Sequence, residues 1–428
     1  MAQKGIREFA AKRLMAKWLP EFAGVRYDGK VALIDPETDL KKVAAEHPWL
    51  SDHKLVVKPD QLFGKRGKHG LLCLDVDWTG AQAWIAERMG QETQVGSIKG
   101  TLTHFLVEPF VPHERDREYY VALRSNREGD TIYFSQSGGV DIEENWEKVK
   151  QIDVPALTDI ENIDLKKELR LESDGQTKAV VDFVTGLFIF YRKLNFTYLE
   201  INPFTIVDGK AVPLDTVARL DDTAAFECAE YWGDIDFPAA FGKTRAAEEE
   251  YISQLDEKSG SSLKLSILNP EGRIWLMVAG GGASVIYTDT VVDLGCMNEL
   301  ANYGEYSGNP TTDETREYAK TILDLMTRKK HPGGKVLLIG GGIANFTDVA
   351  KTFTGIIEAL TDFREKLIEH NIKIYVRRGG PNYLEGLENM KKLGSRLGVP
   401  IEVYGPDTHM TRIVPQAIEA LGLSGGDR

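Results

Sequence analysis

Lys58 closes the apolar pair Val56-Val57, and Phe63-Gly64-Lys65-Arg66-Gly67-Lys68-His69-Gly70 follows as a glycine loop studded with cations. Backbone N–H groups and cations in such a loop can fold over phosphate oxygens and neutralise them; a solvated basic turn is the plainer alternative. Further along, Asn202 in Tyr198-Leu199-Glu200-Ile201-Asn202-Pro203 and Asp215 in Pro213-Leu214-Asp215 set oxygen ligands at two strand positions, 13 residues apart. A carboxylate plus a carboxamide, completed by phosphate and water, is what Mg2+ takes in a nucleotide site. Either residue alone is a common turn former.

A second group of candidates lies in the last third. Gly280-Gly281-Gly282, Gly340-Gly341-Gly342 and Arg377-Arg378-Gly379-Gly380 each follow an apolar run and precede a helix-like one. Glycine lets backbone approach a ligand closely, and a helix start offers free N–H groups to an anion. Tight turns chosen for sterics would look the same. No loop matches GxGxxG and no GxxxxGK[ST] occurs, so neither a dinucleotide site nor a P-loop is indicated. Arg378 could clamp a carboxylate with two prongs where lysine could not. Asn345 and Thr347 stand where the second helix should begin. They suit a hydroxylated polycarboxylate, or serve simply as cap and first-turn residues.

The elements that must carry these groups fall into two patterns. Residues 1–235 mix short β-rich runs with helical segments such as Ala81–Met89 and Thr177–Leu194, an α+β pattern. Residues 236–262 read as a connector. From 263 to 428, four strand-loop-helix units begin at Ile274, Lys335, Ile372 and Ile401, predicting βαβ crossovers and a buried parallel sheet. Ligands of such sheets sit beyond the strands' carboxyl ends, where the glycine loops lie. The stretch Gly5–Leu19 reads as an amphipathic helix bearing Arg7, Lys12, Arg13 and Lys17. It lacks the apolar run of a signal peptide, and Glu8 speaks against a transit peptide. No run approaches the roughly 18 apolar residues of a membrane span. Three scattered cysteines, Cys73, Cys228 and Cys296, indicate neither disulfides nor zinc and fit a reducing cytoplasm. A net charge of −13 argues against broad nucleic-acid binding, and obliges an anionic ligand to find local cations and amides.

These motifs occur in the order found in ATP-grasp acyl-CoA synthetases, and the architecture resembles succinyl-CoA synthetase β subunits. The resemblance to the ATP-citrate lyase family is closer: KLVVKPDQL, VEPFVPH, LEINPF, MVAGGGASVIY, NYGEYSG, IGGGIANFTDVA, YVRRGGPNY and THMT stand nearly unchanged, over about residues 5 to 425. It implies an ATP-grasp domain followed by a flavodoxin-like parallel-sheet acyl-CoA synthetase domain. It implies ATP phosphates on Lys58, Arg66 and Gly67, adenine on the backbone of Pro109 and Val111, and ribose on Glu118. Mg2+ would rest on Asn202 and Asp215. Citrate would rest on Ser307, Asn345, Thr347 and Arg378, and the helix after Gly280-Gly281-Gly282 would aim its start at a phosphohistidine.

In this family the phosphoryl-carrying histidine lies in a glycine loop. Of the eight histidines here only His69 does, and that loop belongs to the nucleotide lid. The resemblance therefore implies a partner subunit with succinyl-CoA synthetase α-like and citrate-synthase-like domains, supplying the phosphohistidine and most CoA contacts within a hetero-oligomer. A citryl-CoA synthetase large subunit would show the same motifs. A succinyl-CoA synthetase β subunit and a non-catalytic citrate sensor are further alternatives, to which the Asn345/Thr347/Arg378 set and the Lys58/Asn202/Asp215 set respectively are ill suited.

Overall fold

The computed structural model describes residues 3–139, 142–171, 175–242 and 246–423. Two compact units divide the chain, Met1–Thr244 and Arg245–Arg428. Among the described residues no helix is long and apolar enough to cross a membrane.

The first unit is built on two antiparallel sheets. The larger runs Gln3–Ile6, Thr216–Asp221, Phe196–Val207, Tyr119–Ser125, Gly129–Ser135, Lys150–Pro155, with Lys210–Pro213 paired to the far end of Phe196–Val207. Helices Glu8–Ala23 and Thr177–Lys193 cover it, burying Met15, Leu19, Phe183, Leu187 and Phe190 against Leu199 and Phe204. Each such apolar side chain contributes roughly 1.5–3 kcal/mol by leaving water. The smaller sheet, Ala32–Ile34, Phe105–Pro109, Leu55–Pro59, Cys73–Val76, packs Val57 and Phe105 under Ala81 and Ile85 of helix Trp78–Arg88.

The chain start departs from expectation. Gly5 and Ile6 belong to an edge strand, paired with Arg219 and Ala218, and the helix begins only at Glu8. Its first amides are capped from a distance: the Asp60 carboxylate accepts from the N–H groups of Glu8 and Phe9 at 2.9 and 3.1 Å. Glu8 and Lys12, two charged residues of this amphipathic stretch, are buried.

The second unit is a six-stranded sheet ordered Ser262–Ile267, Asn302–Ser307, Ile274–Ala279, Lys335–Gly341, Ile372–Arg377, Ile401–Tyr404, parallel except for its antiparallel first strand. The parallel part is ordered as in flavodoxin. Side chains alternate between two cores. Trp275, Met277, Ile339 and Val376 meet helices Thr312–Met326, Val349–Asp362 and Tyr383–Leu397; Leu276, Val278 and Leu338 meet Gly281–Asp293 and Ile413–Ala420. The helices that leave the adjacent strands Ile274–Ala279 and Lys335–Gly341 thus cover opposite faces. That divergence opens the crevice at which doubly wound sheets bind ligands.

Three expectations need correcting here. The first helix starts at Gly281, within the glycine triplet, after Gly280 at φ 103°. The second starts at Val349 with Asp348 as its cap, so Asn345 and Thr347 lie in the loop before it rather than at the cap or first turn. Asn302–Ser307 and its following helix, capped by the reciprocal Thr311–Glu314 box, form a further unit that the apolar-run criterion passed over. Of the segment read as a connector, 243–245 lie outside the described residues. Its helix Ala247–Lys258 packs on Ser262–Ile267 through fully buried Ile252, while Glu249 and Asp256 accept from the Ile267 and Leu263 amides.

Candidate functional site

In the first unit, Lys58 is on the strand Leu55–Pro59 and points into a buried ionic cluster. Its ammonium lies 2.8 Å from Glu8 Oε1, 2.8 Å from Glu108 Oε1, and donates to the Leu214 carbonyl. A lysine has three N–H donors, so all are engaged. Lys12 Nζ meets the same two carboxylates, at 2.8 Å from Glu8 and 2.6 Å from Glu108. Arg66 leaves the glycine loop and turns inward. One Nη reaches Glu8 at 2.7 Å and Asp215 at 2.5 Å, and the other donates to the Pro59 carbonyl. The basic loop is therefore only partly a solvated lid: Lys65, Gly67 and Lys68 are exposed while Arg66 is buried. Burial alone would raise the Glu8 carboxyl, but the Lys12, Lys58 and Arg66 cations hold it far below the usual carboxylate range.

Around this cluster the structure gathers the other nucleotide-site candidates. Pro109 ends the strand Phe105–Pro109, and Phe110 N–H donates to the Lys54 carbonyl, fixing the turn that presents Val111. His113 places one ring nitrogen 2.7 Å from the Val111 carbonyl and the other 3.0 Å from Glu118 Oε1. The imidazole thereby links two groups that sequence had considered separately. Glu118 precedes its strand, which begins at Tyr119. Its other oxygen lies against Gly139, where a Cβ would come within 2.4 Å. Gly139 in turn donates its N–H to Asn202 Oδ1 at 2.8 Å. The Gly138-Gly139 pair joins Glu118 to Asn202 and went unremarked in the sequence; two adjacent glycines between strand-like runs were the available signal. Asp215 occupies a bend between Lys210–Pro213 and Thr216–Asp221 rather than a strand, and its carbonyl accepts from Asn202 N–H at 3.0 Å. The two residues are therefore joined through their backbones, while the Asp215 carboxylate meets Arg66. Burial raises the Asp215 carboxyl, against the pull of Arg66.

In the second unit, Gly281, Gly341 and Arg378 converge at the carboxyl edge of adjacent strands. The start of helix Gly281–Asp293 faces an anion of the protein itself: a Cβ on Gly281 would meet Glu305 Oε2 at 2.9 Å. Arg377 donates from each of its three nitrogens, to the carbonyls of Gly341, Pro406 and Thr408, and acts as a strut. Arg378 is different. It is 4% exposed, donates one bond to the Gly342 carbonyl at 2.7 Å, and among the described residues pairs with no carboxylate, while its Nε has no partner. Burial, and then the neighbouring Arg377, make its charge less favourable than usual. A buried guanidinium without a counter-anion is costly unless something else supplies the charge. Thr347 is buried, Asn345 exposed, and Ser307 half-buried at the end of its strand.

Two family models match the chain: ATP-citrate synthase ATP-grasp domain over residues 2–232, and ATP citrate lyase citrate-binding over residues 243–420. The ATP-citrate synthase alpha chain protein 2 of Oryza sativa subsp. japonica is 51% identical over 424 residues, covering 98% of this chain and 99% of that one. The ATP-citrate synthase of Homo sapiens is 49% identical over 419 residues, 98% of this chain but 38% of the relative. This chain thus spans well under half the length of the animal proteins it matches. The solved ATP citrate lyase from Methanothrix soehngenii, in complex with citrate and coenzyme A, is 55% identical with a TM-score of 0.91, over 98% of this chain and 100% of that chain.

Proposed function

Because this chain belongs to the ATP-citrate lyase family, we propose that it binds Mg-ATP and citrate for the conversion of ATP, citrate and CoA to ADP, phosphate, acetyl-CoA and oxaloacetate. Lys58, Arg66 and Gly67 receive the phosphates, the Pro109–Val111 backbone the adenine, and Glu118 the ribose. Phosphate must displace one of the three partners of Lys58. Lys12, bonded to the same two carboxylates, keeps Glu8 and Glu108 neutralised when it does. Asn202 and Asp215 would hold Mg2+: their backbones are joined by a hydrogen bond, and the Asn202 carboxamide oxygen and the Asp215 carboxylate keep lone pairs for a hard cation beyond those given to Gly139 and Arg66. When bound, that ion neutralises phosphate charge.

Citrate occupies the second unit, with Arg378 as its clamp and Ser307, Asn345 and Thr347 around its hydroxyl and remaining carboxylates. The loop at Gly280-Gly281-Gly282 faces the phosphoryl group, carried by a histidine of a partner subunit that also supplies most CoA contacts and the cleavage module. The assembly is a cytoplasmic hetero-oligomer. Positioning and charge neutralisation are this chain's share of the chemistry, as phosphoryl transfer generally requires.

The observation that carries the reading is Arg378, a buried cation that has no counter-anion among the described residues, at the switch point of the sheet. Losing a charged partner from a desolvated site costs about 2–5 kcal/mol, roughly 30- to several-thousand-fold in affinity. Titration of citrate into Arg378→Ala should show at least the lower figure with Mg-ATP binding unchanged, and Arg378→Lys should recover only part. Succinate should compete poorly, since it leaves the groups meant for the hydroxyl and third carboxylate unpaired. Wild-type citrate affinity in Arg378→Ala, or succinate binding as tightly as citrate, would overturn the assignment.

A further inference from the structure

We infer that Tyr306 is a positioning residue for the anionic substrate: its hydroxyl, which makes no bond to Arg378 in this structure, becomes the neutral acceptor of the Arg378 Nε–H when a substrate carboxylate draws the guanidinium into place. The inference rests on the citrate reading of the second unit. Tyr306 lies on the strand Asn302–Ser307 and is 1% exposed, yet among the described residues its hydroxyl has no hydrogen-bond partner. Arg378 Nε is the other unpartnered atom of this edge. A buried polar atom left unpaired carries its full desolvation penalty, so phenylalanine would serve stability better at 306.

The strand registers bring the two groups toward one another. Val278 pairs with Glu305 and Ala279 with Gly341, and Ile339 pairs with Val376 two residues earlier. Continued to the carboxyl edge, the register forms a row Tyr306, Ala279, Gly341, Arg378, large at its ends and small between them. The guanidinium lies over that gap: a Cβ on Gly341 would meet Arg378 Nη1 at 2.7 Å. The phenol ring is fixed from behind by Tyr318, ring centroids 5.9 Å apart, whose own hydroxyl is spent on the Lys264 carbonyl. Only the Tyr306 hydroxyl remains open.

A neutral acceptor here has a physical rationale. A carboxylate at 306 would fix the guanidinium and also neutralise it, competing with the substrate for its charge. Burial pushes the phenol up to about 12 despite Arg378 nearby, so the group stays neutral at physiological pH. With substrate bound, Nε–H donated to the Tyr306 oxygen would leave Nη2, the second hydrogen of Nη1 and the whole positive charge for a bidentate carboxylate, Nη1 keeping its bond to the Gly342 carbonyl.

The test is citrate titration of Tyr306→Phe, Arg378→Ala and the double variant, with thermal unfolding of each. Tyr306→Phe should weaken citrate binding about tenfold while its ligand-free unfolding temperature stays level or rises, because an unsatisfied hydroxyl has been removed. In the Arg378→Ala background the same change should add nothing, since the hydroxyl acts through the guanidinium. If Arg378→Ala weakens citrate but Tyr306→Phe binds it like wild type, or if the two effects are independent, this inference falls and the citrate reading stands. If Arg378→Ala is also without effect, the citrate reading itself falls.

Discussion

Asp60 shows how much a single carboxylate can be asked to do. It caps the helix Glu8–Ala23 from another element, and it is held in low dielectric beside Glu8. Burial, and then the Glu8 charge, push its carboxyl up to about 6. An acid raised on folding stabilises the fold while protonated. That contribution is present below about pH 4 and is lost as pH rises through 6. A shift of this size corresponds to roughly 2–3 kcal/mol. Urea unfolding of the wild type and Asp60→Asn from pH 4 to 7 should therefore show the wild type losing about that much relative to the variant. A constant difference across the range would contradict the buried, Glu8-facing environment. The sequence held a sign of this cluster. Glu8, Lys12, Met15 and Leu19 share one helical face, and the last two are core residues. Charges in register with a core stripe must be buried and paired, but counting cations on an amphipathic helix hides that register. The partners, Glu108 and the Leu214 carbonyl, come from residues about one hundred and two hundred positions away and have no local signature.

The glycine loops were legible as elements and misread in detail. Apolar-rich runs of four to five residues at Ile274, Lys335, Ile372 and Ile401 announce a parallel sheet because its central strands, covered on both faces, have little polar side. Asn302–Ser307 escaped because Asn302, Gly304 and Glu305 interrupt its apolar pattern, although the Asn302 amide bonds Leu276 N–H and carbonyl like a strand neighbour. Helix starts were misplaced for another reason. Strand Lys335–Gly341 absorbs two glycines of its triplet, pushing the loop and the cap onward to Asp348. Gly341 is where that extension matters. A methyl group there would press on Arg378 Nη1 and on the Ala279 carbonyl at 3.0 Å. Gly341→Ala should weaken citrate binding by about tenfold or more through the displaced guanidinium. Far-ultraviolet circular dichroism and Mg-ATP affinity should be unchanged. Citrate binding at the wild-type level would show that Arg378 is not held over Gly341.

At the scale of the molecule, the proposed function asks a chain of net charge −13 to bind two polyanions. Part of its positive charge is buried. Lys12, Lys58 and Arg66 are neutralised by Glu8, Glu108 and Asp215 in one unit, and among the described residues Arg378 has no anion in the other. The first arrangement can exchange a carboxylate for a phosphate, and the second awaits a carboxylate. Neither supplies a nucleophile, which is why phosphoryl transfer to citrate is assigned to a histidine on a partner. The most direct measurement is ADP formation from Mg-ATP, by the purified chain, in the presence of citrate and CoA. The chain alone should bind both ligands and release no ADP above background, and adding the co-purified partner should start turnover dependent on citrate and CoA. Steady citrate- and CoA-dependent ADP release by the rigorously purified chain alone would contradict the division of labour proposed here.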